Sequence, residues 1–256
     1  MENDNVSKNE IEEINPIESK VDFENIKSKN ILKQIFDYMP KIKSLKIIKL
    51  NKKIQKDLNI DYKEYIEAFS PIEIEIKPFK NEGGKFIRIE NEERKYYHIY
   101  FNESKIETCI SNYLISKHKV SLIKIKIDYQ VNSLARLFYD CPCIESITFK
   151  KFYRTNITNM DYMFSYNKHL KEINFSSFNT TNVTSMEYMF YKCSSLEQLD
   201  LSNFNTSKVF KMQNMFSECS NLKELKISNF DSSNMIDMSY MFFRCYSLKK
   251  LDFSKL

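Results

Sequence analysis

Four cysteines in one register, Cys141, Cys193, Cys219 and Cys245, and three histidines, His98, His118 and His169, are the side chains here best suited to nucleophilic or metal chemistry. A thiolate serves as nucleophile or zinc ligand and an imidazole as base, provided that their partners stand close by. The spacing points elsewhere. Cys193, Cys219 and Cys245 recur every 26 residues, Cys141 falls in the same register, and Asn167 fills the slot between. A small buried side chain repeats in this way along a stack, whereas zinc ligands come in closer, mixed clusters. Cys141 and Cys143 make a lone C-x-C beside Pro142, with no second pair at ligand spacing. The histidines are isolated, no nucleophile motif accompanies them, and the carboxylates form no recognisable acid/base pair. The expectation is a chain that is not an enzyme, with no catalytic residue, no metal site and no cofactor.

Composition narrows the function classes further. Of 256 residues only 2 are glycine, the adjacent Gly83 and Gly84, so neither a phosphate loop nor a dinucleotide fingerprint can be written. The formal charge of +5, from 39 Lys and Arg against 34 Asp and Glu, is small and evenly mixed, and no nucleic-acid partner is expected. Residues 1–20 are acidic and polar, without the basic start and apolar run of an export signal, and read as a disordered tail. No stretch approaches the roughly 18 consecutive apolar residues of a membrane span. A cytoplasmic protein with reduced cysteines is the expectation.

The elements that carry these residues follow from the 26-residue period. Met163-Phe164 returns as Met189-Phe190, Met215-Phe216 and Met241-Phe242, with Leu137-Phe138 one step upstream, and five units begin at Val131, Ile157, Val183, Val209 and Met235. Met186, Met189, Phe190 and Cys193 sit at i, i+3, i+4 and i+7, the stripe of a helix, while Leu199 and Leu201 alternate with polar residues as a strand does. Thr158 with Asp161 and Thr184 with Glu187 have capping-box spacing ahead of that stripe. The expected fold class is therefore α/β: five helix–turn–strand units over 131–256, stacked into a solenoid because one unit cannot bury its own apolar faces.

The segments Val183 to Ser207 and Asn234 to Leu256, with their Met-Phe pairs, cysteine and Leu-x-x-Leu-x-Leu runs, resemble the BspA-like leucine-rich repeats. That resemblance covers 131–256 and implies a leucine-rich-repeat solenoid in an interaction protein. Some members of that family are surface adhesins, which would here require export by an unrecognised route.

Function in such a scaffold lies in the outward strand residues. Asn174, Gln198, Asp200, Glu224, Lys226 and Asp252 are the candidate partner-binding residues, and a protein partner at this repeat face is the leading reading. Upstream, Ile31, Leu32, Ile35, Phe36 and Met39 share a helical face that Pro40 ends, within a small helical module over 21–67. Asn30 to Leu58 is similar to a degenerate F-box. That likeness implies a ubiquitin-ligase adaptor bound through 24–67 and a substrate-receptor role for the repeats. Alternating residues such as Ile72, Ile74 and Ile76, and Ile123, Ile125 and Ile127, mark a β-rich segment over 68–130. Its last strand is expected to cap the solenoid, and Gly83-Gly84 to turn a hairpin between its first two.

Overall fold

The computed structural model describes residues 23, 26–39, 44, 47–48, 50–61, 63, 69–80, 82–108, 112–115 and 119–251, and the chain divides into two compact units, Met1–Tyr62 and Lys63–Leu256. The tail expected over 1–20, His118 and Asp252 lie outside the described residues.

The first unit holds two helices, α1 (Lys29–Tyr38) and α2 (Lys52–Leu58). Ser28 Oγ accepts from the Ile31 amide and Asn51 Oδ1 from the Ile54 amide, so each helix begins on a side-chain cap. Helix α1 buries Leu32 and Phe36 and stops ahead of Pro40; α2 ends on Asn59 in the left-handed conformation, φ 52°.

The second unit is built from strands and turns. Its largest sheet has the order β3 (Tyr97–Phe101), β5 (Ile123–Ile127), β1 (Ile72–Pro78), β6 (Ile144–Lys151), β7 (Glu172–Asn174). The pairings β3–β5, β5–β1 and β1–β6 are antiparallel and β6–β7 is parallel. A parallel three-stranded sheet joins β8 (Gln198–Asp200), β9 (Glu224–Lys226) and β10 (Lys250–Leu251), and β2 (Gly84–Lys85) pairs with β4 (Tyr113–Leu114). The glycine pair thus does not turn a hairpin: β2 pairs with β4 and not with β1. Nor does the last strand of the β-rich segment lie against the repeats; β1 does, pairing Ile74 with Phe149 and Ile76 with Ile147.

The expected helix–turn–strand, leucine-rich-repeat solenoid is overturned. No helix occurs among the described residues of 131–256; the strands lie in separate sheets of mixed direction, and the Met-Phe segments are successive turns. Alternate amides in these segments have different destinations. Within the unit starting at Val183, Met189, Tyr191 and Cys193 donate three residues back, to the carbonyls of Met186, Tyr188 and Phe190. Met186, Tyr188, Phe190 and Lys192 donate instead across to Lys211, Gln213, Met215 and Ser217 of the following unit. A helix would keep every one of those bonds inside the segment. The exchange demands left-handed backbone twice per unit, at Tyr188 (φ 54°) and Lys192 (φ 59°) and at their counterparts 26 residues away in both directions. The threonines are not helix caps either: Asp161 Oδ1 accepts from Ser185 Oγ and from the Glu187 amide of the next unit.

Side chains of the apolar stripe still point into one core. Met186, Met189, Phe190 and Cys193 have no exposed surface. Phe138, Phe164, Phe190, Phe216 and Phe242 form a column of near-parallel rings with centroids 5.3 to 5.7 Å apart. Beside it the cysteines donate S–H bonds to the phenylalanine carbonyls of the preceding unit: Cys193 to Phe164, Cys219 to Phe190 and Cys245 to Phe216, each 3.0 Å. Asn167, in the same column, bonds Phe138 O and Phe164 O at 2.7 Å and accepts from the Cys141 amide at 3.0 Å. Paired strands on one side of this stack and paired turns on the other share that core, so the stack has two outward sides: strand and turn.

Candidate binding surface

The strand side carries the residues singled out from the sequence. Asp200 and Lys226 are brought together as an ion pair of 3.2 Å, and Glu224 is paired with Lys250 at 3.6 Å. Asn174 Oδ1 accepts from the Ser176 amide, and Gln198 is exposed with no side-chain hydrogen bond among the described residues. The same pattern extends along this side in Lys171–Glu145 at 3.1 Å and Lys223–Glu197 at 2.7 Å. Each pair links adjacent units, so charge on this side is largely neutralised within the chain. Asp200 is held below the usual carboxylate range, chiefly by the Ser202 hydroxyl and further by Lys226.

The turn side is different in kind, and it was not selected from the sequence. Left-handed residues at each turn throw large side chains outward in two columns 26 residues apart: Arg136, Tyr162, Tyr188, Asn214, Tyr240, and Asp140, Tyr166, Lys192, Glu218, Arg244. The Tyr162 and Tyr188 rings stack at 4.7 Å, and Tyr139 meets Tyr166 edge-on at 5.4 Å. Lys192 Nζ lies over both Tyr166 (5.2 Å) and Tyr191 (5.1 Å), and Tyr191 donates its hydroxyl proton to Glu218 at 3.0 Å. The contact with Tyr191 holds the Lys192 ammonium above its ordinary range, so it stays charged. Arg136 sits 5.3 Å over Tyr162 and Arg244 4.9 Å over Phe243; among the described residues neither guanidinium has a carboxylate partner. A groove of about 490 Å³ runs along this side, lined by Asp140, Tyr166, Lys192, Glu218, Arg244 and Tyr246 together with smaller polar side chains. The signal that could have found it is periodic: tyrosine recurs at 162, 188 and 240, in the same register as the methionine columns.

Groups suited to chemistry are placed structurally. Burial pushes Cys143 and Cys193 up to about 12 and Cys245 to about 11, and raises Cys141 and Cys219 as well, so the thiols stay protonated as S–H donors. His98 bridges Glu107 (3.2 Å) and Asp128 (3.3 Å). Partial burial draws its pKa down, but the hydrogen bonds to the two carboxylates outweigh that and raise it. His169 stacks on Phe79 at 4.2 Å and pairs with Glu82 at 2.7 Å. Among the described residues no three His, Cys, Asp or Glu side chains gather in a way that could hold a metal, and no helix is long and apolar enough to cross a membrane.

Comparison with known proteins corrects the resemblance drawn from the repeats. Neither a leucine-rich-repeat nor an F-box family matches the chain. No curated protein matches it, and no solved structure does. Residues 132–255, a little under half of the chain, are instead similar to the family described as "Mycoplasma protein of unknown function, DUF285".

Proposed function

We propose that this chain is a non-catalytic, cytoplasmic protein-binding module that engages its partner through the groove on the turn side of the stack. The observation that carries this reading is the side-chain composition of that groove. Tyr166, Lys192, Arg244 and Tyr246 are presented along one continuous hollow that spans successive units. Tyrosine and arginine are the residues that most often dominate binding energy at protein interfaces, because they bury large area and retain a polar end. Arg136 and Arg244 lie flat on aromatic rings with their remaining donors outward, which suits carboxylates supplied by a partner. Ion-pair partners on the strand side are already provided from within the chain, so a partner there would have to break those pairs. The protonated thiols and carboxylate-tied histidines support a scaffold over an enzyme.

The test compares partner recovery by the tagged full-length chain with that by two variants. Arg244→Glu together with Tyr246→Ala should abolish recovery of whatever the wild type retains, while Lys226→Glu leaves it intact. Loss with Lys226→Glu alone would place binding on the strand side and reject the groove.

A further inference from the structure

Arg154 follows the first strand of the stack, β6, and is 1% exposed. Its Nη1 donates to the Asp128 carbonyl at 2.5 Å, and the guanidinium carbon lies 5.9 Å from the centre of the Tyr129 ring. The other two nitrogens, Nε and Nη2, are buried and have no hydrogen-bond partner. Those two atoms share one edge of the guanidinium and form its side-on fork, the edge that grips an acceptor with two parallel N–H bonds. Burial lowers the pKa to about 10, so the group is cationic at neutral pH. The carboxylate beside it, Asp128, is committed to His98 Nε2. Tyr97 and Tyr129, the other titratable side chains facing it, are held neutral by burial, their pKa values raised. A buried cation with an unfilled donor fork is costly, and structures answer that cost with a counter-charge or a hydrogen-bonding guest.

We propose that the Nε/Nη2 fork of Arg154 binds a small monovalent anion of the halide class, chloride under cellular conditions. The enclosure sets the size: with both nitrogens shielded from solvent, a monatomic anion suits the site better than sulfate or phosphate. The charge fits as well, since one halide balances one guanidinium, whereas a water fills the fork without neutralising it. Asn156 Oδ1, also buried and unpartnered, is an acceptor and so no anion ligand; a water donating to it completes the site. Asn156 Nδ2 and Arg154 Nη1 together bond the carbonyls of Asp128, Tyr129 and Val131, so the anion would pin the turn that leads from β5 into the first unit.

Diffraction from crystals of the full-length protein grown in sodium bromide, recorded at the bromine edge, tests this directly. An anomalous peak within hydrogen-bonding reach of both Nε and Nη2 is expected. A peak that refines as water with no anomalous signal, or an empty fork, would overturn the proposal. In solution, Tm should be higher in sodium chloride than in sodium gluconate of equal ionic strength, and Arg154→Met should remove that difference. A difference that survives in Arg154→Met would also overturn it. Should that variant fail to fold, the bromide measurement on the wild-type chain still decides.

Discussion

The strand and turn sides of the stack use charge in opposite ways. On the strand side, lysines and acids 26 residues apart face each other, as Lys226 faces Asp200 and Lys223 faces Glu197, and the pairs knit neighbouring units together. On the turn side the cations lie on rings, Lys192 over Tyr166 and Arg244 over Phe243, and Arg136 and Arg244 keep no carboxylate within the described residues. A repeat gives the same freedom to both sides, since neither is needed for the core. Self-pairing on one side spends its charges on stacking, and their absence from the other leaves it able to recognise something else. Mixed charge in the sequence therefore marks a surface without marking a site; what matters is whether the charges find each other along the stack.

Several changes would break or sharpen this contrast. Both sides depend on the shared column of rings, so Phe190→Ala should cost about 3 to 5 kcal/mol in chemical denaturation and weaken strand and turn surfaces alike. Asn167→Ala leaves two buried carbonyls and an amide without their partner and should cost about 3 kcal/mol. Asn167→Cys should recover about 1 kcal/mol of that by restoring the S–H bond made elsewhere in the column. Arg244→Glu should weaken partner binding by about tenfold or more, as read by titration calorimetry once a partner is in hand, with thermal stability unchanged.

A mild pH change should register in the β-segment ahead of the stack, through His98, and in neither side. Its pKa is raised above 6.5 in the folded chain, so its stabilising contribution is complete below that value and is lost as the pH rises through the folded one. Urea midpoints measured between about pH 6 and pH 8 should fall in the wild type and stay flatter in His98→Gln. The smallest effect belongs to the strand side: Lys226→Ala removes an exposed pair and should change stability by less than about 1 kcal/mol.

What was legible in the sequence was the period and the inside. Met186, Met189, Phe190 and Cys193 were picked as core, and all four are buried, because a repeated apolar column must stack on itself. Their backbone was not legible. An i, i+3, i+4, i+7 stripe fits a helix, but it also fits successive turns whose alternate amides bond the next unit, and apolar spacing does not record where an amide donates. Left-handed positions would ordinarily show as glycine or asparagine; here tyrosine, lysine, glutamate and arginine occupy them, so the sequence carries no local mark of the turn. The strand-side residues were placed outward correctly, as at Asp200 and Lys226, yet their pairing depends on a register between units that one unit does not encode. The turn-side groove was missed because its tyrosines fell between the methionines that drew attention to the core.

Site-specific photo-crosslinking in the cell tests the central claim most directly. A photoreactive phenylalanine analogue is placed either at Tyr246, in the groove, or at Gln198, exposed on the strand side. The account predicts a discrete crosslinked protein adduct from position 246 and none from position 198. An adduct from 198 with none from 246 would contradict it.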